Sequence, residues 1–399
     1  MRHVAALALA LALPLTAAPA RAESWCAAPL WVHEWGVHVY RAGAAPAPKP
    51  ALPGHFHGPA ATPSAPARTP VRALPVDTGE RDLPVLHFYS SWSHGASIPV
   101  GVEVGFAAGE ASAWYPAVDL RRSLAETRSP AARAAAAQRR KALGQRKPFE
   151  EQTAAAADPT AQLVWDRLEL TRAPAAPPAA THTPWVTAAR ALDALWVNRG
   201  AESERFVFYE ADTREAQPVT LRRGPRWRPE RRELVLHNAG RHPVHDLLLI
   251  HREGGRTFAA FVPTIAAGAG AALVLEDHAA GADPRAATWE RYRARLTDAQ
   301  APEAPAPGAA WDSGPCVMGR DPAVPVEQAM GHGLYRGEVD LLFGAWGARL
   351  FDAAGTTLVY REDEAALREA MPLAIYTDMF NVVALHRAGL ALVEGLALP

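Results

Sequence analysis

Between Glu233 and Glu276 four short apolar runs are separated by glycine-bearing turns, and this spacing constrains the fold more than any other stretch. Leu234 to His237 reads as a strand, and Asn238-Ala239-Gly240 as a turn. His245 to Arg252 is a second strand, which Gly254-Gly255 turns into a third at Thr257 to Val262. Gly268-Ala269-Gly270 leads into a fourth at Ala271 to Leu275. Connections this short cannot carry parallel crossovers. The expected unit is an antiparallel meander inside an immunoglobulin-like β-sandwich.

Strand patterns recur upstream. Leu30 to Tyr40 sets Trp31, His33, Trp35, Val37 and Val39 in alternation with polar or small residues. Leu83 to Ser91, Ile98 to Phe106, Ala113 to Val118, Leu163 to Leu170 and Arg205 to Tyr209 also read as strands. Trp185 to Val197 has helical spacing, and an Ala/Arg-rich helix is expected from Ser129-Pro130 to Gly144. The C-terminal third changes character. Helices are expected at Asp283 to Asp298, Glu338 to Phe351 and Asp363 to Ala370. Strands are expected at Thr357 to Tyr360, Leu373 to Tyr376, Val382 to His386 and Leu390 to Glu394. The fold class is therefore mainly β: antiparallel sandwich modules with a small α/β C-terminal region.

With 399 residues the chain is long enough for two or three domains. Residues 1–22 read as a secretory signal peptide: Arg2 and His3, an apolar run from Val4 to Leu15, then Ala20-Arg21-Ala22. That run is shorter than the roughly 20 residues a membrane-spanning helix needs. Cleavage after Ala22 would start the mature chain at Glu23, in the periplasm or outside the cell. The remaining segments are an N-terminal β-rich domain at 23–170, with a Pro/Ala-rich loop at 42–72, a sandwich domain at 171–282 and the α/β region at 283–399.

Charge excludes some partners. Lys+Arg 41 against Asp+Glu 42 leaves a formal net charge of -1. Losing Arg2 and Arg21 lowers the basic count to 39 and the balance to -3. No overall basic field draws nucleic acid. No long apolar segment follows the signal, so no transmembrane helix is expected. Cys26 and Cys316 are the two cysteines, and Glu23-Ser24-Trp25 ahead of Cys26 does not make a lipidation site. In an oxidising compartment such a pair is expected to form a disulfide.

The segment Val32-His33-Glu34-Trp35-Gly36 resembles a family of secreted bacterial proteins marked by a His-Glu-Trp-Gly segment just after the signal peptide. Pro84 to Ser90 with Trp114-Tyr115-Pro116, Glu204 to Tyr209, and the Leu358-Val359-Tyr360 to Met371-Pro372-Leu373 run are similar to it as well. That family usually continues Trp-Gly with Thr-Phe, where this chain has Val37-His38. The resemblance implies a secreted, multi-domain protein and carries no catalytic residue onto this sequence.

Candidate chemistry lies in the histidines. His33, Glu34 and His38 lack zinc-protease spacing, because a zincin helix needs its histidines four apart and these are in a strand. His33 and His38 therefore point to opposite faces. His55 and His57 share a face of an extended segment between Gly54 and Gly58, the arrangement a metal could use with a further ligand. His237, His251 and Glu253 form a candidate polar site, with His251 and Glu253 on one strand face and His237 brought near by a hairpin. There is no Gly-x-Ser-x-Gly elbow, phosphate-cradling loop or dinucleotide fingerprint. No cofactor is expected. The 12 tryptophans suit either cores or stacking on sugar rings. Two functions follow: a non-catalytic binding or structural protein of the bacterial envelope, whose partner is a protein or an envelope polymer, or a secreted hydrolase, metal-assisted or not, using the histidine-rich segments.

Overall fold

The computed structural model describes residues 30–41, 51–59, 79–90, 97–122, 130–131, 134, 161–213, 215–228, 231–278, 284–299, 303–304, 333–377 and 383–399. The expected signal peptide at 1–22, the expected Cys26–Cys316 disulfide and nearly all of the predicted 129–144 helix lie outside them.

The chain is mainly β. Its N-terminal strands are β1 (Leu30–Arg41), β2 (Gly79–Tyr89), β3 (Ile98–Phe106), β4 (Gly109–Tyr115), β5 (Leu120–Arg122) and β6 (Ala161–Thr171). Helix α1 (Pro184–Arg190) precedes β7 (Trp196–Arg199), β8 (Glu202–Glu204), β9 (Val207–Thr213) and β10 (Val219–Arg223). Then come β11 (Glu233–Asn238), β12 (Val244–Glu253), β13 (Arg256–Ile265), β14 (Gly270–Val274) and β15 (Glu276–His278). The C-terminal part holds α2 (Pro284–Leu296), α3 (Arg336–Phe351), β16 (Gly355–Glu362), α4 (Glu364–Ala370), β17 (Leu373–Thr377) and β18 (Val383–Leu396).

A nine-stranded sheet in the order β15-β13-β12-β16-β18-β1-β2-β9-β4 forms the central layer. Its strands pair antiparallel except β1 and β18, which run parallel from Leu30↔Val383 to Arg41↔Glu394. Trp35, Val37 and Val39 of β1 face a core completed by Trp185 of α1, Tyr292 of α2 and Leu342 and Trp346 of α3. The opposite face is covered twice. The sheet of β17, β3, β6, β7, β8 and β5 packs against Val32, Leu86, Phe88 and Tyr209. The three-stranded sheet β10-β11-β14 packs Leu234, Leu236 and Leu273 against Leu247, Leu249, Leu358 and Val393.

Four corrections to the sequence reading follow. The apolar runs of Glu233 to Glu276 are strands, but not a meander. β11 pairs with β10 and β14, while β12 pairs with β13 and β16 in the facing sheet. Leucines on both sides then bury against each other, which a flat meander would leave half exposed. Second, the helix from Trp185 stops at Arg190, and Trp196 and Val197 pair with β6 instead. Third, the last two predicted strands are one, running through Gly389. Fourth, part of the 42–72 loop is packed: Phe56 lies 4.7 Å from Phe208 and 5.1 Å from Tyr115 between ring centroids. Leu52 and Phe56 pack against the helix-side core and anchor residues 51–59. The nine-stranded sheet draws strands from each of the segments 23–170, 171–282 and 283–399.

This sharing predicts the behaviour of a truncated chain. A version ending at Thr377 lacks β18, leaving β1 and β16 without their central partner. It should show no cooperative thermal transition by circular dichroism, whereas the full chain should melt in one step that tryptophan fluorescence tracks.

Candidate ligand-binding groove

The site is built outward from β1, which is buried on both faces. On the face enclosed by the smaller sheets the strand carries Glu34 and His38 among Val32, Gly36 and Tyr40, and both must find partners inside the protein. Glu34 accepts hydrogen bonds from Arg387 Nε and from the Tyr209 hydroxyl. Arg387 stands directly across the parallel ladder from Glu34 and also donates through Nη1 to the Met371 carbonyl at 2.8 Å.

Two residues on, Gly36 pairs with Gly389. This glycine pair leaves a slot in the sheet face. A Cβ at Gly389 would lie 2.6 Å from Glu362 Oε2 and 2.8 Å from Leu367 Cδ2, so both side chains occupy the missing volume. Glu362 thereby reaches His38, whose Nδ1 lies 3.4 Å from Glu362 Oε1 and 3.4 Å from Glu215 Oε2. His38 Nε2 lies 3.2 Å from Thr213 Oγ1. A small cavity lined by Glu34, Gly36, His38, Glu362 and Gly389 remains beside the slot.

Glu362 and Glu215, the two carboxylates beside His38, also line a groove of about 310 Å³ between Tyr40, Tyr360, the Glu215–Pro218 segment, the Gly240–Val244 turn and α4. Glu215, Glu362, Asp363 and Glu369 line it, with Arg241 and His242 opposite. The walls bring histidines against carboxylates. His242 Nε2 lies 3.1 Å from Glu369 and His245 Nε2 lies 3.1 Å from Asp363. Asp363 caps α4 by accepting from Ala365 N at 2.9 Å. Burial pushes its carboxyl up, but hydrogen bonds from His245 and Ala365 N, with the nearby His242, outweigh that and hold it below its ordinary value. A second depression of about 470 Å³ lies between β13, β14 and α2 and is mostly alanine, valine and leucine. Its polar side chains are Glu276, Thr288 and Arg291, whereas the first groove gathers four carboxylates with Arg241 and His242 and is the stronger candidate.

The other face of β1 carries a second polar cluster. His33 Nδ1 donates to Glu338 Oε2 at 2.7 Å, and the Tyr335 backbone N–H donates to the same oxygen at 2.8 Å. His87, across the ladder from His33, donates Nδ1–H to the Arg205 carbonyl at 3.1 Å. Burial drives the His87 pKa down. Burial alone would push the Glu338 carboxyl up, yet the charge and hydrogen bond of His33 hold it below its ordinary value.

The sequence candidates disperse. His33 and Glu34 each have a buried partner, Glu338 and Arg387, on opposite faces. His55 and His57 do share a face, both near the Tyr115 ring at 5.3 and 6.2 Å. His57 Nε2 sits 2.6 Å from Glu202, and His55 Nε2 is 4.0 Å from Glu204, which Arg190 already holds. Burial and the Arg190 charge lower the His55 pKa. His251 bonds Thr356 at 2.9 Å and faces Glu253 at 3.4 Å. His237 does not join them, because β11 and β12 belong to different sheets. Among the described residues no group of three or more His, Cys, Asp or Glu is arranged to hold a metal ion. Sequence reasoning missed Arg387, Glu362, Glu338 and Glu215. Their one local signal is a charged residue inside an apolar run, as in Leu385-His386-Arg387-Ala388-Gly389-Leu390. The tryptophans Trp31, Trp35, Trp114, Trp165, Trp185, Trp196 and Trp346 are buried, filling cores rather than lining the groove.

The chain matches no protein-family model and no curated protein. Among solved structures it is similar to the yeast delta-COP-I mu-homology domain complexed with a Dsl1 WxWxV peptide. That alignment has 8% identity and a TM-score of 0.26, and covers 92% of this chain and 95% of that one. A likeness at that score bears on neither mechanism nor partner.

Two outcomes test this geometry. The Gly389→Ala chain should lose about 1–3 kcal/mol, because the new methyl displaces Glu362 and Leu367. A thermal melt of the variant would read this as a lower Tm. Stability should also fall with acidity in two stages. Below about pH 6.5 the unfolded chain protonates His87 while the folded one resists, so the unfolded state gains protons and stability drops. Below about pH 4.5 the same imbalance arises at Glu338, whose folded carboxylate stays ionised longer than the unfolded one. Urea titrations at stepped pH would show both slopes, and His87→Gln should flatten the first.

Proposed function

We propose that this chain is a secreted or periplasmic, non-catalytic binding protein of the bacterial envelope, whose groove beside His38 receives a cationic group of its partner. The observation that carries the reading is the groove itself: about 310 Å³, lined by Glu215, Glu362, Asp363 and Glu369 against one arginine, Arg241. Carboxylates in a concave, partly desolvated wall favour a guanidinium or ammonium over neutral groups.

The envelope assignment rests on the signal-like first 22 residues. The resemblance to secreted His-Glu-Trp-Gly proteins is supported by a separate role for each residue of that segment. His33 binds Glu338, Glu34 binds Arg387, Trp35 fills the helix-side core and Gly36 pairs with Gly389, whose missing side chain makes room for Glu362. The stacking of β10-β11-β14 on the large sheet supports an immunoglobulin-like sandwich for that half of the molecule.

Calorimetry with a hexapeptide carrying two arginines, against its neutral glutamine counterpart, tests the reading. The arginine peptide should bind and the neutral one should not. Glu362→Gln should weaken binding by roughly tenfold or more, the cost of losing a charged hydrogen-bond partner. Failure of both peptides to bind would defeat the proposal. Cleavage of the peptide, lost in His38→Ala, would favour the hydrolase instead.

A further inference from the structure

The near-neutral total charge conceals one concentrated region. From Arg222 to Arg232 the chain carries six arginines, Arg222, Arg223, Arg226, Arg228, Arg231 and Arg232, against one acid, Glu230. The segment is the end of the β10–β11 hairpin, where Gly224 N bonds the Glu233 carbonyl at 2.9 Å. Arg222, Arg223, Arg226, Arg228 and Arg231 are exposed. Arg231 and Arg232 have carboxylates at 3.6 and 3.1 Å, in Glu233 and Glu253. Arg222, Arg226 and Arg228 have no ion-pair partner among the described residues.

Apolar groups stand among these charges. Trp227 is half-buried at the hairpin end, packed against the edge of the core beneath the three-stranded sheet, with the Arg223 guanidinium 5.2 Å from its ring centre. Register puts Arg222, Val235 and Ala272 side by side on the face of the three-stranded sheet that points away from the core. Val274 shares that face and is 36% exposed. Guanidiniums flanking a tryptophan and a strip of small aliphatic side chains match a surface with phosphates outside and hydrocarbon just beneath. Nucleic acid would satisfy the arginines but offers nothing to the valines.

We infer that the β10–β11 hairpin, with the outer face of its sheet, docks the protein on an anionic phospholipid surface through Arg222, Arg226, Arg228 and Trp227. The groove lies at the other end of this hairpin, lined by the 215–218 and 240–244 segments that flank it; it shares none of these arginines, and the two readings stand independently.

The test is flotation of the full chain with vesicles of pure phosphatidylcholine and vesicles containing one-third phosphatidylglycerol, at low and at physiological salt. Binding should require phosphatidylglycerol and weaken with salt. At about fivefold per arginine near an anionic surface, the triple variant Arg222→Ala, Arg226→Ala, Arg228→Ala should bind roughly a hundredfold more weakly. These side chains are exposed, and circular dichroism would confirm that the variant folds. Trp227→Ala should weaken vesicle binding but leave binding to a DNA duplex unmoved. Absence of binding to the anionic vesicles, equal binding to neutral ones, or an unchanged triple variant would overturn the inference. So would tighter, arginine-dependent binding to the duplex than to vesicles, which would assign the surface to nucleic acid.

Discussion

The pairing of Glu34 with Arg387 is the constraint on which the rest of the structure depends. Both residues are buried, and the Tyr209 hydroxyl completes the carboxylate's partners. Burying an isolated carboxylate or guanidinium costs several kcal/mol, so each residue is tolerable only where the other is. A one-residue slip of β1 against β18 would set Glu34 beside Ala388 or His386 and turn its side chain toward the helices. The ion pair therefore fixes the register of the parallel ladder at the centre of the sheet. With the register fixed, Gly36 falls opposite Gly389, and the slot for Glu362 exists.

The groove inherits its chemistry from that slot. His38 meets Glu362 because no side chain stands at Gly389, and Glu362 is the last residue of β16, immediately before the cap of α4. One strand end thus supplies both the buried partner of His38 and, through Asp363, the brace to His245. On the opposite face the same strand anchors α3, because His33 and the N–H of Tyr335 share the Glu338 carboxylate. β1 ties helices to one side and binding surface to the other.

Much of this architecture is legible in the sequence. Ile98 to Phe106 is predicted and observed with the same bounds, and the helices at 284–296, 336–351 and 364–370 lie where apolar spacing puts them. Local pattern fails where partner choice decides. The run from Leu234 to Leu275 announces four strands, but nothing in it says that β11 skips β12 for β14, since that depends on which leucines find one another across a core. In β1 the alternation is visible, yet it reads as a half-solvated strand, because the coverings of its polar face come from residues far along the chain. The site is less legible still. His33 and Glu34 stand out, but their partners are 305 and 353 residues away. His55 and His57 carry a metal-like spacing, and in the fold their nitrogens face Glu202 and Glu204 instead.

The parallel pairing of β1 with β18 has a consequence for how the molecule is made. The strand that leaves the ribosome first among the described residues must wait for one of the last, because β18 separates it from β16 in the finished sheet. Closing so long a loop is slow and comes after local hairpins such as β12–β13 have formed. Until then Glu34 and Arg387 are each without their counter-charge, and the central layer has no stable intermediate form. A nascent chain of this design stays open through most of its synthesis. The same delay leaves apolar strands such as Leu247 to Ile250, buried in the finished sheet, exposed to chaperones while the chain is unfinished.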